Sequence, residues 1–271
     1  MHDLKQLKII IISFFVLNVQ LLSAQTKVLS NAHSHNDYKQ KHPLTDALNN
    51  GFSSIEVDVF LKNNKLIVSH IYPFFKKGTL ETLYLKALQD STIKHQGPVY
   101  ATNNLPIILL VDIKTDAAKT YLLLESTLEK YRSILTSYEN GKIIQRSVTV
   151  IITGNKPLDE MKKEVIRFAF IDENLLNIEN KNSSEIYLMA STKYSNLLKW
   201  NGKGKIPEQE KQKLLQFVSL AHQQGKKIRL WASPENKNVW KELLNCGVDY
   251  INTDKLKELH DFLISRKTET N

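Results

Sequence analysis

Short runs of β-branched and aliphatic residues, each followed by an amphipathic or polar stretch, recur along this chain. Eight runs are predicted strands: 28–33, 54–60, 107–112, 148–153, 167–171, 186–190, 228–232 and 250–252. Helical periodicity is clearest at 117–131, 208–224, 239–244 and 255–265. Strands that alternate with helices predict a parallel sheet with right-handed crossovers, and eight of them predict a closed (β/α)8 TIM barrel.

Local signals refine this α/β barrel. A short run at 66–69 is expected to pair with the end of the second strand as a hairpin across Asn63-Asn64. Thr115 or Asp116 is placed to cap one helix, and Gly225 and Gly247 fall just past the ends of two others. The segment 172–185 is polar and predicts at most one helical turn. We therefore expect an irregular barrel at that point.

The first 24 residues are predicted to be an export signal rather than part of the barrel. Lys5 and Lys8 precede a mostly apolar run at 9–22, and the small residues Ser23 and Ala24 follow it. This order is typical of a signal peptide, and the run is shorter than the ~20 residues of a membrane-spanning helix. We expect cleavage after Ala24, a secreted or periplasmic protein, and one barrel domain over residues 25–271.

The chain is basic, with a formal net charge of +9, but its lysines are scattered rather than clustered. Nucleic-acid binding would call for a basic patch or stripe, so we expect no nucleic-acid partner. A scattered basic surface suits attraction of anionic substrates or peripheral contact with an anionic membrane surface. The single cysteine, Cys246, can form no internal disulfide, so a packed core must stabilise the chain. We expect a monomer.

Glu56 and Asp58 are the first candidate functional residues. They stand at i and i+2 in Ile55-Glu56-Val57-Asp58-Val59, and strand side chains alternate with period two, so both carboxylates point to one face. Two adjacent carboxylates suit Mg²⁺ or Ca²⁺. The alternative is a half-buried strand whose polar face meets water.

Asp112 is the third candidate ligand, because it ends the aliphatic run that begins at Ile107. A carboxylate on a buried strand is expensive to desolvate unless it is paired or bound to a metal. Lys114 points the same way, so it can hold either Asp112 or a phosphate oxygen; a purely structural Asp112–Lys114 ion pair is the alternative. The sequence lacks the His-x-x-x-His and cysteine spacings that favour zinc.

Three histidines accompany these acids. His33 and His35 lie at the end of the first predicted strand, and His70 follows the hairpin strand. Active sites of such barrels lie at the carboxyl ends of the strands, where two imidazoles would supply a base and an acid for displacement at phosphorus.

These motifs resemble the superfamily of phosphatidylinositol-specific phospholipase C and glycerophosphodiester phosphodiesterase. Ala32-His33, the block around Glu56 and Asp58, Val68-Ser-His70 and Leu110-Val-Asp112-Ile-Lys114 resemble its strand-end motifs, and Leu230-Trp231 and Gly247–Asp254 resemble its closing segments. The chain is similar in particular to the branch of the fungal altered inheritance of mitochondria protein 6, which shares His33-Ser-His-Asn-Asp-Tyr38, Asp112-Ile-Lys-Thr-Asp116 and Thr153-Gly-Asn155.

The resemblance implies a phosphoric diester hydrolase on a TIM barrel. It implies metal ligation by Glu56, Asp58 and Asp112 and proton transfer by His33 and His70. His35 and Lys114 would assist, while Asn36, Trp231 and Asn155 would contact the substrate. The spacing Ala-His-x-x-Asn-Asp, shared with sphingomyelinase D-like phospholipases, favours His33 over His35 as the first catalytic histidine.

Two departures leave the substrate open. Ser34-His35 replaces the Arg-Gly of glycerophosphodiesterases, and Pro43-Leu44-Thr45-Asp46 replaces their Pro-Glu-Asn-Thr, so one metal-binding glutamate is lost. We expect a metal-dependent enzyme acting on a small-molecule or lipid phosphodiester. The alternative is a barrel that binds a metal and phosphate head groups without turnover.

Overall fold

Eight parallel strands close into a barrel in the computed structural model, which describes residues 26–74 and 78–269. Around the barrel they are β1 (Leu29–Ser34), β2 (Phe52–Lys62), β4 (Ile107–Ile113), β7 (Val148–Gly154), β9 (Ala169–Asn174), β10 (Tyr187–Lys193), β11 (Lys227–Trp231) and β12 (Tyr250–Thr253). β1 pairs with both β12 and β2, which closes the ring. The predicted (β/α)8 barrel is confirmed. The predicted signal peptide lies outside the described residues.

The remaining strands lie outside the ring. β3 (Lys65–Val68) pairs antiparallel with β2, and β5 (Ser137–Glu139), β6 (Lys142–Ile144) and β8 (Ile166–Arg167) form a separate small sheet. The helices are α1 (Thr45–Asn49), α2 (Lys86–Lys94), α3 (Ala117–Glu129), α4 (Leu158–Met161), α5 (Glu208–Gln223), α6 (Lys237–Asn245) and α7 (Leu256–Glu269). Short 3-10 helices occupy Asp37–Lys39, Leu175–Asn180 and Tyr194–Asn196, and a single π-helical turn occupies Glu81–Leu85.

Period-two alternation sorts the strand residues into two cores. On β4, Ile107, Leu109 and Val111 pack outward against the helices. Ile108 and Leu110 point into the barrel, where they join an inner apolar cluster with Ile151, Phe170, Met189 and Tyr250. Both faces of a parallel barrel are buried, which is why its strands are almost continuously hydrophobic in sequence.

The inner face changes character toward the carboxyl ends of the strands. Asp112 follows Ile108 and Leu110 on the inner face of β4, and Asp172 follows Phe170 on β9 in the same way. The inner residues of β2, Glu56 and Asp58, lie opposite Leu110 and Asp112 in the parallel register. The barrel therefore has an apolar floor and a polar upper layer, and all candidate ligands lie in that layer.

Most local predictions are confirmed. Asn63 and Asn64 both adopt left-handed φ values, of 50° and 53°, which suit the tight turn of the β2–β3 hairpin. The Asp116 side chain accepts from Lys119 N and caps α3. The irregularity predicted near 172–185 appears as a short helical turn and a register shift between Tyr187 and Met189.

Several smaller elements were not predicted from the sequence. Helices α1, α2 and α4 and the sheet of β5, β6 and β8 had no prediction. Within residues 26–74 and 78–269, no helix combines the length and apolarity needed to cross a membrane.

Candidate active site

Three carboxylates converge at the carboxyl end of neighbouring strands β2 and β4. Glu56, Asp58 and Asp112 each offer one oxygen, and these three atoms lie within 4.8 Å of one another. Glu56 and Asp58 are buried and Asp112 is nearly so. The structure therefore brings together the three side chains predicted as metal ligands.

Asp58 anchors one side of the site. Its Oδ2 lies 2.9 Å from His70 Nδ1, 2.8 Å from the Tyr38 hydroxyl and 3.2 Å from Lys114 Nζ. His70 is brought here because Ser69 N donates to the Asp58 carbonyl, which continues the hairpin of β3 up to the rim. The His70 side chain is 54% exposed, so it stands at the opening of the barrel.

Lys114 bridges two of the acids. Its Nζ donates to Asp112 Oδ2 at 2.6 Å and lies near Asp58. Burial alone would lower the pKa of Lys114, but the hydrogen bond and charge of Asp112 outweigh it and raise the pKa. The lysine therefore stays charged. The Asp112–Lys114 ion pair, the structural alternative to a phosphate-binding lysine, is therefore present, and it lies within the carboxylate site.

Glu56 has a different partner, the Arg229 side chain of β11. The Arg229 guanidinium bonds Glu56 Oε2 and also lies 3.1 Å from Asn252 Oδ1 and 3.9 Å from Asp172 Oδ2. Burial would raise the pKa of Glu56, but Arg229 and His33 outweigh it and hold the pKa well below its usual range. Glu56 is therefore ionised at any physiological pH.

His33 lies beneath this pair with no exposed surface. Its Nδ1 lies 2.7 Å from Ser54 Oγ, and its Nε2 lies 3.0 Å from both Glu56 Oε2 and Arg229. Burial, together with the charge of Arg229, lowers the pKa of His33 to about 4. The ring is therefore neutral above that pH and contacts Glu56 from below.

His35 lies at the opening instead. Its side chain is 29% exposed, and its Nδ1 lies 2.8 Å from Asp254 Oδ1. The Asn36 amide contacts the same ring at 3.1 Å, and Asn36 Oδ1 lies 2.5 Å from the Tyr38 hydroxyl. Tyr38 thus links the segment after β1 to Asp58.

The last two predicted residues lie at the same end of the barrel but apart from the acids. Trp231 ends β11, is 39% exposed, and has Lys193 Nζ 5.8 Å from its ring. The Asn155 side chain donates to the Thr115 carbonyl, which ties the end of β7 to the segment after β4. Their contact with a substrate stays a prediction.

Three residues of the site, Arg229, Asp172 and Tyr38, were not predicted from the sequence. Arg229 carried a usable signal, because Lys227, Arg229 and Trp231 share the inner face of β11 by period two. A guanidinium on a buried strand demands a carboxylate partner, just as Asp112 demands a cation. Asp172 was assigned to the polar segment 172–185, whereas it is the inner residue near the end of β9.

The residues present fit a divalent cation. Asp58 Oδ1 and Asp112 Oδ1 are buried and have no hydrogen-bond partner in the described part of the chain. Four carboxylates, with Asp172 as the fourth, lie near the cations Lys114 and Arg229, and Lys156 adds a favourable charge at Asp172. Buried oxygens without partners are costly, and a hard cation is the ligand that carboxylate oxygens prefer.

Comparison with known proteins agrees with this fold. Residues 23–172, more than half of the chain, match the AIM6-like phosphodiesterase domain, and residues 227–257 match the glycerophosphoryl diester phosphodiesterase family. A glycerophosphodiester phosphodiesterase from Parabacteroides distasonis superposes with a TM-score of 0.52 at 14% identity, over 88% of this chain and 98% of that one. The protein therefore belongs to the class of phosphodiesterase-like TIM barrels.

Two curated relatives narrow this class to one family. Altered inheritance of mitochondria protein 6 of Eremothecium gossypii is 30% identical over 90% of this chain and 72% of its own length. The protein of the same name from Candida glabrata is 31% identical over 83% and 69%. The chain belongs to the AIM6-like phosphodiesterase domain family.

Proposed function

We propose that this protein is an exported, metal-dependent phosphoric diester hydrolase. The observation that carries the proposal is the pair of buried, unpartnered oxygens on Asp58 and Asp112 within a three-carboxylate cluster. Glu56, Asp58 and Asp112 would hold one Mg²⁺ or Ca²⁺, and the bound cation would supply charge neutralisation for the phosphate oxygens.

The two rim histidines are the proposed proton carriers. His35 and His70 are both partly exposed, and each has its Nδ1 next to an aspartate, Asp254 and Asp58 respectively. An imidazole oriented through one nitrogen by a carboxylate can exchange a proton through the other. One histidine would take the proton of the attacking hydroxyl, and the other would protonate the leaving oxygen.

His33 has a supporting role in this proposal. Its buried ring is neutral and contacts Ser54 and Glu56 at the same time. Since the ring has no exposed surface, its proposed role is to fix the Glu56 carboxylate against Arg229 rather than to contact the substrate. Motif spacing favoured His33 over His35 as the catalytic histidine, and the burial of His33 supports the opposite assignment.

Lys114 would assist at the phosphate. Its ammonium already compensates Asp58 and Asp112, and its side chain is 25% exposed. A cation at that position favours the additional negative charge that develops on the phosphoryl oxygens during displacement. Asn36 and Trp231 would contact the rest of the substrate from the same rim.

The substrate class and location complete the proposal. A small-molecule or lipid phosphodiester would be the substrate, and the protein would act as a secreted or periplasmic monomer once the signal at residues 1–24 is removed. Mass spectrometry of protein recovered from the exported fraction would test the signal, because the amino terminus should then be Gln25.

The decisive experiment is hydrolysis of bis(4-nitrophenyl) phosphate with Mg²⁺ or Ca²⁺ and with EDTA. We expect turnover that EDTA abolishes and that Asp58→Asn lowers by about a thousandfold, because the variant keeps the shape and removes the ligand charge. Wild-type turnover that persists in EDTA, or an Asp58→Asn variant of unchanged rate, would contradict the proposal.

Separate histidine variants test the proton carriers. His35→Ala and His70→Ala should each lose about 10²–10⁴-fold in rate while metal affinity, measured by calorimetry, stays within a few fold. A barrel that only binds phosphate would show no turnover for these variants to lose. His33→Ala should instead lower metal affinity, since Glu56 loses its buried contact.

A further inference from the structure

We propose that an apolar patch at the rim of the barrel docks the protein on an anionic lipid bilayer. We call Ile71, Tyr72 and Phe74 the apolar rim patch; their side chains are 67%, 49% and 76% exposed. Three large apolar side chains within four consecutive residues are unusual on a protein surface that only water contacts. The inference rests on the proposed function, since it places the phosphodiester in a membrane lipid.

The patch lies beside the candidate active site. Ile71 directly follows His70, whose ring contacts Asp58, and Ser69 Oγ donates to the Ile71 carbonyl at 2.6 Å. The supporting β2–β3 hairpin extends past the level of Asp58 and Asp112, where Val59 to Lys62 pair with β3 rather than with the barrel alone. Docking through this patch would bring the carboxylate site to the bilayer surface.

Fixed contacts hold the patch outward. The Tyr72 ring meets Phe60 edge-on at 6.1 Å between centroids and Phe74 at 5.1 Å. Lys62 Nζ lies 4.8 Å from the centre of the Tyr72 ring and donates to the Pro73 carbonyl. Exposure of Ile71 and Phe74 is therefore a built arrangement, supported from the side that faces the protein.

Positive charge near the apolar rim patch favours an anionic bilayer as its binding partner. Between Asp58 and Glu81 the sequence contains four lysines and neither Asp nor Glu. Two of the lysines, Lys62 and Lys65, flank the turn of the supporting hairpin. Aromatic and aliphatic side chains with Lys62 beside them match the interface of an anionic bilayer, in which rings enter the headgroup layer and ammonium groups meet phosphates.

A further exposed aromatic side chain, outside the apolar rim patch, lies at the same end of the barrel. Trp231 ends β11, and Lys193 lies beside its ring. Tryptophan prefers the membrane–water interface, so a ring with an adjacent lysine is suited to a second point of contact. Two contacts on one rim would orient the opening toward the lipid.

Vesicle cosedimentation tests the surface. The full chain should sediment with phosphatidylcholine vesicles that contain phosphatidylserine, and added salt should weaken the binding because the lysine contribution is screened. Ile71→Ser/Phe74→Ser should lower the partition coefficient by at least about tenfold, since two apolar anchors are lost. Circular dichroism and a thermal melt establish that the variant is folded.

A matched control separates this surface from general hydrophobicity. Ile93 on α2 and Leu122 on α3 are 70% and 68% exposed, so Ile93→Ser/Leu122→Ser removes comparable exposed area from the outer helices. We expect this control to sediment like the wild type. Absence of wild-type sedimentation, or an equal loss in both double variants, would overturn the inference and favour a protein partner for the patch.

The two proposals fail in different ways. Turnover of bis(4-nitrophenyl) phosphate by the wild type needs no bilayer, so its absence with intact vesicle binding would refute the proposed function alone. Turnover of the soluble diester without vesicle binding would refute the docking surface alone.

Discussion

Arg229 determines how the buried acids of the upper barrel are compensated. Its guanidinium contacts Glu56 directly, lies within hydrogen-bond distance of Asn252, and lies 3.9 Å from Asp172. Each of these side chains is at least nine-tenths buried. Removing one member of such a group leaves an uncompensated charge in a site of low polarity, which costs more than the pair itself contributes.

Arg229→Met should therefore destabilise the protein by about 3–5 kcal/mol. Arg229→Lys, which keeps the charge but loses the guanidinium that contacts both Glu56 and Asn252, should be less destabilising than Arg229→Met. Urea unfolding followed by circular dichroism measures both. A Met variant as stable as the wild type would mean that Glu56 is compensated by something other than Arg229.

Glu125 gives stability a pH dependence away from the active site. Burial, reinforced by the neighbouring charge of Glu164, raises the pKa of Glu125 to about 7. The Tyr121 hydroxyl lies 2.6 Å from Glu164 and 3.2 Å from Glu125. Because the folded pKa is above the unfolded value, this contribution to stability is complete below pH ~4.5 and is lost as pH rises through ~7.

Glu125→Gln should remove that loss. Relative to the wild type, the variant should gain about 1 kcal/mol of unfolding free energy between pH 5 and pH 8, a figure reduced for the partial exposure of the side chain. Urea titrations of both proteins at the two pH values measure it. An equal pH dependence in the two proteins would exclude Glu125 as the titrating group.

At the scale of elements, the sequence predicted what repeats and missed what depends on tertiary partners. The barrel strands are long aliphatic runs buried on both faces, so their pattern is visible without context. Helix α1 has only five residues and begins after Leu44, which adopts an unusual φ of 62°. Its formation depends on Asp37, whose carboxylate accepts from Leu44 N and from the Tyr84 hydroxyl. No local periodicity carries that information.

The candidate site divides in the same way. Glu56, Asp58, Asp112, Lys114 and His70 could be placed together because each lies at or just beyond a strand end whose register the pattern implies. Period two places Arg229 on an inner face, but it does not identify Glu56 as the partner, which is 173 residues away in the sequence. The burial of His33 depends on which side chains cover it, and only the folded barrel supplies them.

The end of strand β7 shapes the position of Asp112, the candidate metal ligand on β4. Gly154 has a φ of +71°, and a Cβ built there would overlap Asp112 Oδ1 and lie 2.7 Å from the Ile113 carbonyl oxygen. The bare backbone of Gly154 therefore lets the Asp112 carboxylate take its observed position. Gly141, in the β5–β6 turn, shares the positive φ at +87° but has nothing within 4 Å of the same construction.

Gly154→Ala should lower metal affinity by at least about tenfold and destabilise the fold by about 1–3 kcal/mol. Gly141→Ala is the matched control, because it imposes a similar backbone strain without the overlap. Isothermal titration with Mg²⁺ and Ca²⁺ compares the two. Equal affinities in the two variants would show that Asp112 is not a ligand.

At the scale of the whole molecule, a cation bound at the candidate metal centre would couple the site to global stability. Its ligands come from β2 and β4, adjacent strands of a closed ring, so a cation bound there holds part of the ring together. A ligand that binds only the folded state raises the free energy of unfolding by RT ln(1 + [L]/Kd). At a cation concentration a hundred times the Kd this is about 2.7 kcal/mol.

Saturating Mg²⁺ or Ca²⁺ should therefore raise the Tm of the wild type by roughly 5–10 °C relative to EDTA, at about 2–4 °C per kcal/mol for a chain of this size. Differential scanning calorimetry measures the shift. Asp58→Asn should show almost none, and it should already be less sensitive to EDTA, because one source of carboxylate repulsion is gone. A wild-type Tm that neither cation changes would mean that the site binds no metal. An equal Tm shift in the Asp58→Asn variant would mean that the cation binds elsewhere on the chain.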